Sequence, residues 1–127
     1  MKKHVYTLRV GGEELQLRLT MAGQRALRKE WDEEIMPFLV SAAADGERFC
    51  SLMTQCLNWE GNENSVTDGA DLYDLLVDEG WQGQAVFAAL TFDLAAESGL
   101  LTREQADTLT ETVLHAYNNA FASLEEQ

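Results

Sequence analysis

The sequence predicts an α+β fold that is mostly helical: one N-terminal β-hairpin followed by about five or six helices in one compact domain. Three observations predict it. Residues 5–19 alternate apolar and polar side chains about a Gly-Gly pair. Nearly every later apolar cluster carries the three-and-four spacing of a helix. Residues 85–96 are apolar apart from Thr91 and Asp93, a composition that only an enclosed helix tolerates.

In the hairpin, Tyr6, Leu8 and Val10 alternate with Val5, Thr7 and Arg9, and Leu15, Leu17 and Leu19 alternate with Glu14, Gln16 and Arg18. Gly11-Gly12 between them supplies the positive φ angles of a two-residue turn. That turn pairs Val10 with Glu13, Leu8 with Leu15 and Tyr6 with Leu17, so turn register and hydrophobic face agree. Two strands alone are marginal in water, so the hairpin must lie on the helices, on another copy or on a partner.

Thr20 is the expected N-cap of a first helix running through Arg25 and Leu27 towards Trp31. The helix should end or bend within the charged segment Arg28-Lys29-Glu30-Trp31-Asp32-Glu33-Glu34. Pro37, the only proline, fits the first turn of a second helix over 37–44, because the first turn uses no internal N–H donors. Asp45-Gly46 breaks it, and Phe49, Leu52, Met53, Cys56 and Leu57 then form a third stripe. Residues 59–65 are polar and rich in Asn and Gly, the signature of a loop. Thr67 is expected to cap a short helix bearing Ala70, Leu72, Tyr73, Leu75 and Leu76, with Gly80 closing it. The enclosed helix follows, from about Gln82 to Ser98, stopped by Gly99. Thr102-Arg103-Glu104-Gln105 is a capping box for a last helix with Ala106, Leu109, Val113, Tyr117, Ala120 and Leu124 along one side. With no repeat and no linker composition, the 127 residues read as a single domain: a hairpin over 1–20 and a helical bundle over 21–127.

A formal net charge of −13, from 22 acidic and 9 basic residues, disfavours nucleic acid and anionic membrane, both of which are bound through Lys and Arg. No apolar run approaches the ~20 residues that cross a bilayer. No basic-plus-apolar leader precedes the hairpin, and the two cysteines, Cys50 and Cys56, stand six apart on one expected helix, on different faces and out of disulfide reach. A cytoplasmic location is the expectation.

Signals for chemistry are sparse. His4 and His115 have no patterned Cys, Asp or Glu companions, and Cys50 and Cys56 lack zinc-ligand spacing. Asp68-Gly69-Ala70-Asp71 lacks the alternating ligands and the terminal Glu of an EF-hand and reads as an acidic helix start. Gly11-Gly12 is a turn rather than a phosphate cradle, since no strand-to-helix junction follows it. No nucleophile has a base beside it. The expectation is a protein without catalytic residues, metal or cofactor, working by contact.

The order of parts resembles the tail assembly chaperones of long-tailed phages and prophages of Gram-positive bacteria. The resemblance lies in Tyr6-Thr7-Leu8-Arg9-Val10-Gly11-Gly12-Glu13-Glu14 with Leu15-Gln16-Leu17-Arg18-Leu19-Thr20, in Leu72-Tyr73-Asp74-Leu75-Leu76-Val77-Asp78-Glu79-Gly80, and in Ala96-Glu97-Ser98-Gly99-Leu100-Leu101 before the final helix. It spans nearly the whole chain, and it rests on order and pattern rather than a chemical signature. One departure stands out: the family pattern places a glycine turn soon after the first helix, and residues 29–34 contain none. The resemblance implies a protein that coats the tape-measure protein and keeps it from aggregating before tail-tube assembly, and that releases it when tube subunits compete. A long apolar client needs such a cover, and an acidic coat supplies repulsion between covered clients. The alternative is an acidic DNA mimic or regulatory binding module of a mobile element. Mimicry needs acids spaced like phosphates along one surface, whereas these are scattered between apolar stripes.

Self-association and client binding are expected at the hairpin edge and the last helix. A lone hairpin keeps an unpaired edge able to accept another strand, which places Thr7 among the contact residues. On the last helix Leu109 and Val113 should close the core, leaving Tyr117, Phe121 and Leu124 for a partner.

Overall fold

Gly11 and Gly12 adopt φ of 58° and 78°, as a two-residue turn between strands of right-handed twist requires. The computed structural model describes residues 4–125. Strands β1 (Tyr6–Val10) and β2 (Glu13–Leu17) pair antiparallel in the expected register, Val10 with Glu13, Leu8 with Leu15 and Tyr6 with Leu17. Leu8, Val10, Leu15, Leu17 and Leu19 are buried together, and Tyr6 packs against them.

Among the described residues six helices follow: α1 (Met21–Trp31), α2 (Ile35–Ala42), α3 (Gly46–Leu57), α4 (Gly69–Asp78), α5 (Gln84–Glu97) and α6 (Arg103–Glu125). The Thr20 side chain caps α1 by accepting from Gly23 N–H at 3.1 Å. Asp32 ends α1 in the left-handed region, φ 52° and ψ 45°, its N–H donating to the Arg28 carbonyl at 2.9 Å. Asp and Asn are the side chains that reach this region most readily after glycine, because the short polar group bonds locally. The turn that lacks a glycine is thus made by Asp32.

Helix α2 begins two residues earlier than the proline implied, at Ile35, and ends at Ala42 rather than at residue 44. Pro37 still lies in the first turn, where no internal N–H bond is lost. Asp45 caps α3. The cap of α4 is Asp68, not Thr67: its carboxylate accepts from Ala70 N–H and Asp71 N–H at 2.7 and 3.1 Å, and a charged acceptor suits the helix dipole better than a hydroxyl. Gly80 and Gly99 close α4 and α5 at φ 95° and 90°, each with paired bonds from the two residues after the C-cap, Trp81 N–H to Leu76 O and Leu100 N–H to Ala95 O among them. The capping box at α6 is formed in both directions, Gln105 N–H to Thr102 Oγ1 and Thr102 N–H to Gln105 Oε1.

Helix α5 buries Phe87, Ala88, Leu90, Thr91, Phe92, Leu94 and Ala95 against β1, α2 and α6. Its one fully enclosed hydroxyl, on Thr91, donates to the Phe87 carbonyl at 2.9 Å, so no polar group is stranded there. Val86 at the N-terminal end of α5 is exposed, so the enclosure expected over 85–96 begins at Phe87. Helix α3 shares the central position, meeting β2, α1, α2 and α4 through Phe49, Leu52, Met53, Cys56 and Leu57. Among the described residues, no helix is long and apolar enough to cross a membrane.

Candidate partner-binding surfaces

The two edges of the hairpin differ. Strand alternation points the backbone groups of Gln16 and Arg18 away from β1, and both are taken. Asn64 in the loop after α3 accepts from Gln16 N–H at 2.7 Å and donates to Gln16 O at 2.9 Å, acting as a one-residue substitute for a third strand. Its amide also donates to the Leu57 carbonyl at 2.8 Å. The Trp59 indole N–H reaches Gln16 O at 2.8 Å, Arg18 N–H donates to Cys56 O at 3.0 Å, and Leu19 N–H donates to Ser98 Oγ at 2.9 Å. The β2 edge is therefore closed at Gln16 and at the Arg18 N–H. On β1 the outward groups of Thr7 and Arg9 have no hydrogen-bond partner among the described residues, and the Thr7 hydroxyl donates across the ladder to Gln16 Oε1. The expected hairpin edge is thus open along the Thr7 side and closed on the other side at Gln16.

On α6, burial falls along the helix. Ala106 is fully enclosed, Leu109, Val113 and Tyr117 are half-buried, and Phe121 and Leu124 are 47% and 64% exposed. Tyr117 and Phe121 pack ring against ring at 4.7 Å. The outer half of α6 thus stands beyond the core with an apolar face that also holds Leu114. The residues 113–124 contain no Asp, Glu, Lys or Arg in a chain of net charge −13. The Thr7 edge belongs to the hairpin and the Tyr117, Phe121 and Leu124 face to α6.

A third feature was not legible in the pattern. Phe49, Tyr73 and Phe87, from α3, α4 and α5, form an aromatic cluster with Phe87 edge-on to Phe49 at 5.2 Å and stacked on Tyr73 at 5.3 Å. A recess of about 240 Å³ opens beside it, bounded also by Ala42, Asp45, Gly46, Gly83 and Tyr117. In sequence these residues are spread from 42 to 117, and only Tyr73, an aromatic inside a leucine stripe, hints at it.

The titratable groups are arranged structurally. Arg48 bridges Glu33 and Asp45 at 2.6 Å each and lies over the Trp31 ring at 4.6 Å. Its hydrogen bond holds the Asp45 carboxyl below its ordinary value. Burial pushes both thiols up, Cys56 far more than Cys50, which keeps them out of the thiolate form that attacks or ligates. His4 and His115 are exposed, at the hairpin start and on the outer half of α6. Among the described residues, no group of three or more His, Cys, Asp or Glu side chains is placed to hold a metal ion. Compared with protein-family models, curated proteins and solved structures, the chain finds no match in any of the three.

Proposed function

We propose that this chain is a tail assembly chaperone of a long-tailed phage or prophage, acting in the host cytoplasm by covering the tape-measure protein until tail-tube subunits displace it. The observation that carries this reading is the outer half of α6: an exposed apolar face, free of charge over 113–124, on a molecule of net charge −13. The bare face supplies replaceable apolar contact for an amphipathic client helix. The acidic remainder keeps covered clients apart by repulsion. The order of hairpin and helices, on which the family resemblance rests, agrees with it. The reading needs no catalytic residue, metal or cofactor, and self-association through the β1 edge at Thr7 or through α6 would extend the cover along a long client.

The test is co-expression with the tape-measure protein encoded beside it. Wild type should keep that protein in the soluble fraction. The Tyr117→Ala, Phe121→Ala double variant should lose this effect while melting within a few degrees of wild type, since both rings lie outside the main core. Loss of two aromatic anchors at a contact removes about 2 kcal/mol or more of binding. No gain in client solubility with wild type would refute the chaperone reading. Unchanged protection by the double variant would remove α6 from it.

A further inference from the structure

Helix α6 outruns the helix it packs on. Asp93 of α5 pairs with Arg103 at the start of α6, and Tyr117 borders the same recess as Gly83 and Phe87 at the start of α5, so the two helices run antiparallel. Helix α5 has 14 residues and α6 has 23, which leaves the last nine of α6, about 13 Å, beyond the end of α5. Every residue over 118–124 is exposed. Local preference does not hold this overhang helical. Asn118, Asn119, Phe121 and Ser123 are weak helix formers, and so short a segment draws its stability from packing. Its large apolar side chains have an order. Leu114, Tyr117, Phe121 and Leu124 follow one another at steps of three, four and three, the spacing of a coiled-coil seam. Asn118 and Ala120 flank the seam where coiled coils commonly carry charge, and both are neutral.

We infer that in the free protein the outer half of α6 pairs antiparallel with α6 of a second copy through Leu114, Tyr117, Phe121 and Leu124. The spacing supports a self-match. Steps of three, four and three read the same from either end, so in an antiparallel pair Leu114 meets Leu124 of the second copy and Tyr117 meets Phe121, as a two-fold interface requires. Charge selects the second copy as occupant. Two chains of net charge −13 repel, and residues 113–124, with no Asp, Glu, Lys or Arg, are where they meet at least cost. The antiparallel sense also sets the two acidic bodies at opposite ends of the pair. A basic helix has no carboxylate to pair with along this stretch, and an anionic membrane is repelled by the net charge. Three turns of seam make a small, reversible contact. The pairing stands apart from the proposed function, while its consequence for a client rests on that reading: the face offered to the client is covered by the second copy until the client displaces it.

Sedimentation of the purified chain without client, from micromolar to submillimolar concentration, should show a monomer–dimer equilibrium. Added salt should tighten it, because salt screens the repulsion of the bodies and leaves the apolar seam intact. Phe121→Glu should weaken the dimer about thirtyfold or more. Asn119→Glu adds the same charge on the opposite side of α6 and should stay within about threefold of wild type. Both positions are exposed, so circular dichroism and melting should match wild type. Cross-linking reads the direction. Leu114→Cys with Leu124→Cys should give a covalent dimer on mild oxidation, since the two positions face each other across the pair but lie about 15 Å apart along one helix. Leu114→Cys alone, and wild type with its Cys50 and Cys56, should run as monomer on a non-reducing gel. A wild type that stays monomeric throughout, equal losses from Phe121→Glu and Asn119→Glu, or a covalent dimer from Leu114→Cys alone would each overturn the inference. No tape-measure protein enters these measurements, so a monomer leaves the co-expression result standing, and a negative co-expression result leaves a measured dimer standing.

Discussion

Gly69 lies where α4 passes over α3 so closely that an added Cβ would sit 1.8 Å from the Cys50 carbonyl oxygen. Its N–H donates to Thr54 Oγ1 at 2.8 Å, which fixes the approach. Backbone cannot step aside as a side-chain tip can, so Gly69→Ala must part the two helices. We expect it to lower unfolding free energy by about 3 kcal/mol, read from urea denaturation, whereas Gly46→Ala should cost nothing measurable. Asn64 is a second single-residue constraint, holding Gln16 by both backbone groups and the Leu57 carbonyl besides. Asn64→Ala should cost about 2 kcal/mol and speed hydrogen exchange at the Gln16 amide before others in the hairpin. Neither role shows in sequence. Gly69 reads as part of an acidic helix start, and Asn64 as one polar residue of a loop, because both roles depend on groups distant in the chain. By contrast Thr20, Gly80, Gly99 and the Thr102–Gln105 box act on neighbours within a few residues, and their roles were readable directly.

At the scale of elements, the hairpin was legible because two independent constraints, turn type and face alternation, agree on one register. Helix ends were legible to within about two residues. The misses share a cause. Asp32 replaces the expected glycine, and Asp68 replaces Thr67, because several polar residues in a row offer competing caps and the packing of the helix chooses among them. The loop over 59–65 is polar as expected, yet through Asn64 and Trp59 it closes the middle of the β2 edge at Gln16, which leaves β1 as the strand better able to accept another. Thr7 offers its N–H outward, so Thr7→Pro removes no ladder bond. We expect this variant to stay within about 1 kcal/mol of wild type in stability. If β1 pairs with a second copy, sedimentation should show a lower mass for the variant. Equal mass in wild type and variant would exclude strand pairing as the route to assembly.

For the whole molecule, the net charge of −13 leaves residues 113–124 on the outer half of α6 without a charged side chain, so the acidic composition and the exposed apolar face lie on different parts of the surface. What holds α6 on the molecule is the α5 layer that it packs against. Leu90 is enclosed in it, and Leu90→Asp would bury a charge without a partner, at a cost of several kcal/mol. We expect that variant to be unfolded or insoluble. A soluble protein with a wild-type melting curve would contradict the packing described. Tyr6 reports on how the hairpin sits on this layer. Its ring is half-buried, and burial foremost, then the charges of Asp93 and Glu97, raise its pKa above the ordinary 10.0. An acid whose pKa is raised in the fold contributes stability that is fully present below the unfolded value and is lost as pH rises through the folded one. Wild type should therefore lose stability above about pH 10 more steeply than Tyr6→Phe, while the two keep a constant difference below it. Urea unfolding across this range measures the difference directly. Parallel curves throughout would mean that Tyr6 is equally solvated in both states, and that the hairpin does not rest on α5 in the way its buried face requires.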